Sequence, residues 1–190
     1  MSKFRIEIKW AIIFALATLL WMAFEKSMGW HDVFIEKHAI YTNFFAIIAI
    51  TVYVQALLDK RKVDYNGKMN WKQGFISGII LSVIIAVISP LTQYITSTII
   101  TPEYFKNITN FVVDSGKMDQ EAAESYFNLK SYIIQSLFGA LTMGIVTSAI
   151  VALIRVEIEV QQALQFLTFK NNYPSRKGGN MFCLFPMFRG

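Results

Sequence analysis

One cysteine, Cys183, occurs in 190 residues, which excludes an intrachain disulfide framework and a thiolate-rich metal cluster. Charge is equally scarce. Only 16% of the residues are charged against 54% hydrophobic, and mean hydropathy is +0.42, too apolar for an ordinary soluble domain. The chain has no glycine-rich phosphate loop, no nucleophile beside a base and no acid pair inside an apolar run. Catalytic and cofactor-binding residues therefore cannot be nominated, no cofactor is expected, and an enzyme is the least expected class. The net charge of +5 comes without a basic patch interleaved with aromatics, so nucleic acid is not an expected partner.

What the chain does have is long uncharged runs: Trp10 to Phe24, Ala39 to Leu58, Gly74 to Pro102 and Ser131 to Ile154. About twenty apolar residues cross a bilayer as helix. The reading is an all-α, integral membrane four-helix bundle, residues 1-155, with spans at about 5-26, 38-58, 73-101 and 130-154. Residues 156-190 follow as a tail, partly helical or disordered. The basic start of the first run also fits a signal peptide, but the nearest small-x-small site, Ser27-Met28-Gly29, is separated from the apolar run by Glu25 and Lys26, so the segment is read as a retained span.

Basic residues resist translocation. Three (Lys3, Arg5, Lys9) precede the first span, five lie between the second and third (Lys60, Arg61, Lys62, Lys68, Lys72), and five follow the fourth. The other two loops hold Lys26 and Lys37, and Lys106, Lys117 and Lys130. Thirteen against five puts both termini in the cytoplasm.

Small residues recur every four positions in the third span (Gly74, Gly78, Ser82, Ala86) and the fourth (Ser136, Ala140, Gly144, Ser148, Ala152). In lipid such stripes let backbones approach closely, so these spans pack on each other or form a homodimer face. The stretch "SPLTQYITSTIITP", residues 89 to 102, continues the third-span stripe: at about 100° per residue, Ser89, Thr92, Gln93, Thr96 and Ser97 extend it within an arc of roughly 140°. Pro90 removes a donor and frees the carbonyl of Ala86, which predicts a kink with hydroxyls at hand to replace the bond.

Asn43, Gln93 and Gln135 all fall in the outer half and form a candidate polar cluster, either interhelical glue or the wall of a wet site. On the same side, "GWHDVFIEKHA" offers His31, Asp32, Glu36 and His38 as weak metal-ligand candidates, with Glu25 and Glu103 placed by the topology at the same end; the plain alternative is an interfacial loop anchored by Trp30. Asp119 reads as the N-cap of a helix that runs on into the fourth span. Residues 101 to 113 have apolar residues at helical spacing, suited to the membrane surface or to capping the bundle. Asn107-Ile108-Thr109 matches a glycosylation sequon.

"WKQGFISG", "ITPEYF", "GKMDQEAAESYF" and "GALTMGIVTSAIVAL" resemble a bacterial membrane family filed as domain of unknown function four-one-nine-nine, over residues 3 to 154. The resemblance implies four helices in a bacterial inner membrane and no known site residues. The tail departs from it: "RVEIEVQQALQFLTFKNNYPSRKGGNMFCLFPMFRG" extends the helix through Gln161 to Phe169, with a Pro174-Ser175 turn and a Gly178-Gly179 break, and is as consistent with read-through as with a functional extension. The leading functional expectation is a small non-enzymatic scaffold or envelope-associated protein that meets the lipid bilayer and a second copy or another membrane protein. The alternative is a small-solute or ion carrier using the outer polar cluster. A third, weaker reading is an outer-face metal or pH sensor.

Overall fold

The computed structural model describes residues 4-172, all of whose regular structure is helical. In chain order it comprises α1 (Arg5–Ser27), α2 (Ile35–Tyr41), a 3-10 turn (Thr42–Phe44), α3 (Phe45–Asp64), α4 (Trp71–Ile95), a π turn (Thr96–Ile100), α5 (Tyr104–Asp114), α6 (Gln120–Tyr126) and α7 (Leu129–Asn172). Four stretches are long and apolar enough to cross a membrane: Arg5–Ser27, Ile35–Asp64, Trp71–Ile100 and Leu129–Val151. These mark the chain as a multi-pass membrane protein. The second stretch takes in α2, the 3-10 turn and α3, so it begins before residue 38 and ends beyond residue 58. Helix α7 continues through the first part of the tail to Asn172. Cys183, the Pro174-Ser175 pair and the Gly178-Gly179 pair lie outside the described residues.

Local chemistry sets the ends. Asn70 caps α4 by accepting from the Gln73 amide while the Gln73 side chain accepts from the Asn70 amide, both at 2.9 Å, a reciprocal capping box. Asp119 caps α6 through the Ala122 amide at 2.8 Å. That helix does not run on into the fourth span, as the sequence reading had it. It stops at Tyr126, and Asn128 starts α7 anew by accepting from the Ser131 amide at 2.9 Å. Asn128 also donates to the carbonyls of Glu124 and Ser125, so one side chain closes one helix and opens the next.

The third span continues through Pro90. Ser89 Oγ donates to the Ala86 carbonyl at 2.9 Å, the acceptor that proline leaves without its helical donor. The closing π turn is sealed by the Thr101 amide, which donates to the Thr96 carbonyl five residues back at 2.7 Å.

The span order in space follows side-chain size. Helix α4 packs most extensively on α7 and then on α1, while α3 lies against α1 and touches both α4 and α7. At the α4–α7 seam, Gly78 faces Ser148 and Gly144 faces Ser82 and Tyr53. Ser82 and Ser148 are fully buried, and each donates to the carbonyl four residues back, Gly78 and Gly144 respectively, so their hydroxyls need no other acceptor. Tyr53 Oη and Ser82 Oγ, 3.0 Å apart, join α3 to the same point, a contact worth about 0.6 kcal/mol in a bilayer. Of the small residues in the two stripes, Gly74, Gly78, Ser82, Ala86, Gly144 and Ser148 are buried and Ser136 and Ala140 are half-buried. The side chain of Ala152 lies outside the description. The seam is therefore made within one chain.

Two groups of charged residues lie at the end where α1 and α4 begin, here called the basic end. Glu7 and Lys60 are buried and meet at 2.8 Å; Asp64 also reaches Lys60 at 2.7 Å, and Ser77 Oγ donates to Glu7 at 2.9 Å. Lys9 and Trp10 both donate to Asp59. The first group ties α1, α3 and α4 together, and the second ties α1 to α3.

A methyl group on Gly144 would lie 2.0 Å from Ser82 Oγ and 2.4 Å from Tyr53 Oη, whereas one on Gly139 meets nothing within 4 Å. Gly144→Ala should cost about 1–3 kcal/mol by overpacking, and Gly139→Ala should be neutral or slightly stabilising. Thermal unfolding of the two variants in the same detergent checks the contrast.

Candidate functional site

The seam closes the basic half, while the other half contains a cavity of about 350 Å³. All four spans line it. Thr18 comes from α1, Thr42 and Asn43 from the 3-10 turn, Ser89, Thr92 and Gln93 from α4 and Ser136 from α7, among apolar neighbours that include Phe14, Phe45 and Met143. No charged residue lines it. The cavity exists where the small-residue stripe of α4 gives way to hydroxyls and where Gly139 and Ala140 on α7 offer too little volume to fill the space.

Four of the lining hydroxyls have their protons placed. Thr18 donates to Phe14 O, Ser89 to Ala86 O, Thr92 to Ser89 O and Ser136 to Ile133 O, each at 2.9 Å. A hydroxyl whose proton is committed to its own helix presents lone pairs outward. The amides are also turned to local partners: Asn43 Nδ2 donates to Ala39 O at 2.7 Å, and Gln93 Nε2 donates to Ser97 Oγ at 3.1 Å. Neither amide bridges two helices through these bonds. The wall is thus apolar with a band of hydroxyl acceptors, to which each amide adds its second N–H.

The predicted polar trio is only partly assembled. Asn43 and Gln93 line the cavity, but Gln135 is exposed and does not. Its neighbour Ser136 faces Ser89, with the two hydroxyl oxygens 3.4 Å apart, and one residue along a helix rotates the side chain by about 100°, which carries Gln135 away from the interface.

Beyond the cavity, at the end capped by α5 and α6, lies a buried cluster of Glu25, His31 and His38. The end of α1 builds it. Gly29 takes φ +74°, its amide donates to Lys26 O at 2.9 Å and the Trp30 amide to Glu25 O at 3.1 Å. This is a Schellman ending, in which only glycine avoids a penalty at the left-handed position. Trp30 packs edge-on against Phe24 at 5.7 Å. The chain turns back and places His31 Nε2 at 3.0 Å and His38 Nδ1 at 3.3 Å from Glu25 Oε2. Trp21, one turn before Glu25, donates its indole N–H to Glu25 Oε1. Its ring also lies 6.1 Å from that of Phe45, which links the cluster to the cavity wall.

Helix α5 covers the cluster. Tyr104 lies 5.2 Å from the His31 ring and 5.1 Å from the His38 ring, and Asn107 Nδ2 donates to the His31 carbonyl at 3.1 Å. Burial pushes the Tyr104 phenol up from its ordinary pKa, and its hydroxyl is paired with that of Tyr132 at 3.2 Å. The apolar face of α5, with Tyr104, Ile108 and Val112, packs on Ile35 and Ala123 of the same chain. The sequon asparagine is therefore spent on holding α5 to the 29–34 turn.

The four weak metal candidates divide. His31 and His38 belong to the cluster; Asp32 and Glu36 are exposed and do not. Asp32 Oδ1 accepts from the Val33 amide, and the turn from Gly29 to Phe34, closed by the Phe34 amide on Gly29 O at 2.8 Å, directs it outward. Glu103 is also exposed and approaches Lys106 at 4.0 Å. The ligand type that sequence reasoning ranked too low is Glu25, placed there only by the return of the chain through Gly29.

With Cys183→Ser as background, cysteines at Asn43 and Gln93 should react with a small maleimide in detergent, while one at Leu81, 1% exposed within the core, should be protected. Mass spectrometry of the labelled protein measures the difference.

No curated protein and no solved structure matches the chain. A family described as "Protein of unknown function (DUF4199)" matches residues 9–155. That match takes in the first span from residue 9, the other three spans, the cavity and the Glu-His cluster, and the chain belongs to the DUF4199 family.

Proposed function

We propose that this protein is a non-enzymatic inner-membrane protein of bacteria, with both termini cytoplasmic, that binds a small uncharged molecule in its cavity as the outward-facing site of a solute carrier. The cavity is the observation that carries the reading. A packed scaffold gains from filling its interior, because an unfilled apolar volume forfeits contacts at about 24 cal/mol per Å³. Here the small side chains of α4 and α7 leave a space of about 350 Å³ between the four spans on the side nearer α5.

The lining defines the chemistry of the occupant. Apolar walls favour an apolar body, and an acceptor band of Thr18, Ser89, Thr92 and Ser136 hydroxyls favours a ligand that carries a donor, such as an alcohol or an amide N–H. The absence of charge from the lining disfavours a small inorganic ion, whose desolvation it would not repay. The scaffold reading depended on outer segments offered to a partner, and the apolar face of α5 is already used within the chain. The cavity's polar residues lie towards the end with fewer lysines and arginines, which by the basic-residue bias faces outward.

Two measurements test the proposal. In intact cells, with Cys183→Ser, an impermeant maleimide should label a cysteine at Ser115 and spare one at Asn66. In nanodiscs, thermal unfolding against a panel of amphipathic alcohols and amides should show saturable stabilisation, about 2.7 kcal/mol at one hundred times the Kd, and Gly139→Trp should abolish it while remaining folded. Failure of the entire panel to stabilise the protein, or equal stabilisation of the Gly139→Trp variant, contradicts the carrier site.

A further inference from the structure

Glu25 is fully buried and His31 is 3% exposed, and no basic side chain pairs with Glu25 in the described structure apart from the two imidazoles. A carboxylate taken out of water needs compensation. The two histidines supply it incompletely. His31 Nε2 is within hydrogen-bond distance of Glu25 Oε2 at 3.0 Å, but His38 Nδ1, at 3.3 Å from the same oxygen, lacks hydrogen-bond geometry and is a buried ring nitrogen without a partner. His31 Nδ1 is likewise buried and unpartnered. Each histidine therefore has one buried ring nitrogen without a hydrogen bond, beside a fully buried carboxylate.

We propose that Glu25, His31 and His38 bind one divalent transition cation of the zinc class. One ligand atom from each residue lies within 4.8 Å of the other two. Ligands about 2.0–2.2 Å from a tetrahedral zinc are separated from one another by roughly 3.3–3.5 Å, so the 3.0 and 3.3 Å separations to Glu25 already match, and small ring rotations bring the imidazoles into register. Two imidazoles and one carboxylate suit zinc and its first-row neighbours better than calcium or magnesium, which take oxygen ligands. The Trp21 N–H on Glu25 Oε1 leaves Oε2 as the ligating oxygen, the kind of supporting bond that orients metal-bound carboxylates.

The three ligands come from the end of α1, the turn and α2, so one cation staples the first span to the second beneath α5. Tyr104 does not complete the site, because its hydroxyl is paired with that of Tyr132 at 3.2 Å. The fourth position is left for water. His38, at 15% side-chain exposure, forms the edge by which an ion enters. The acidic residues nearest in sequence, Asp32 and Glu36, take no part.

The test uses the full chain in detergent, stripped with chelator and titrated with Co²⁺, followed by displacement with Zn²⁺. Saturation at one equivalent is expected, with the intense visible absorption of tetrahedral cobalt, its loss on adding one equivalent of Zn²⁺, and a rise in melting temperature with either ion. His31→Asn and His38→Asn should each lose the absorption and the shift, and Asp32→Asn with Glu36→Gln should keep both. Absence of saturable one-to-one binding by the parent protein overturns the proposal, whether or not the histidine variants fold. Undiminished binding in a folded His31→Asn, His38→Asn double variant overturns it as well.

Discussion

Helices in lipid gain nothing from hiding apolar surface from water, since the surrounding chains are equally apolar; they gain from contact distance. Gly78 against Ser148 and Gly144 against Ser82 set that distance for α4 and α7, and the rest of the molecule follows from it. With these backbones held close, Tyr53 can reach Ser82 and bring α3 in, and α1 lies along the other side of α4. The same alignment holds α7 at a depth where Gly139 and Ala140 face a space they cannot fill. Close approach at the seam and the cavity beside it share one cause.

Among the described residues, the buried acids and the buried lysine, Glu7, Glu25 and Lys60, lie near the span ends and are paired there. At the basic end Glu7, Lys60, Asp64 and Ser77 form a closed group; at the other, Glu25 relies on Trp21, His31 and His38. Breaking a buried pair from one side is costly, roughly 3–5 kcal/mol, because the remaining charge stays buried. The two groups differ in a way that matters: the first joins oppositely charged side chains, whereas the second gathers one acid and two neutral-capable bases around a point. The first acts as a clasp, and the second has the composition of a ligand set.

The spans were legible because hydropathy over twenty residues is a strong signal, and the seam because Gly and Ser at a four-residue period have few other uses in a membrane helix. Replacement of the bond lost at Pro90 was legible too, since hydroxyl side chains stand beside the carbonyl that the proline frees. Harder features depended on the return of the chain. Glu25 stands at the foot of an apolar run and reads as an interfacial charge until Gly29 reverses the backbone and brings two histidines onto it. Asp32 and Glu36 have the right chemistry and the wrong side of that turn. Gln135 was misplaced by a single residue of helical phase, and α6 was joined to α7 because a short break made by one asparagine, Asn128, leaves the hydrophobic pattern undisturbed.

The cavity wall is uncharged, and Trp21, whose ring lies 6.1 Å from that of Phe45, links it to the Glu-His cluster in a continuous framework. Central to the fold, α4 and α7 of one chain form the seam. Ser89 and Ser136, whose hydroxyl oxygens are 3.4 Å apart, allow the most direct measurement: oxidation of a Ser89→Cys, Ser136→Cys variant in a Cys183→Ser background, resolved by electrophoresis and peptide mass spectrometry. An intrachain disulfide in a monomer is the expected result. Covalent dimers without that intrachain bond would contradict the account and return the small-residue stripes to a role between chains.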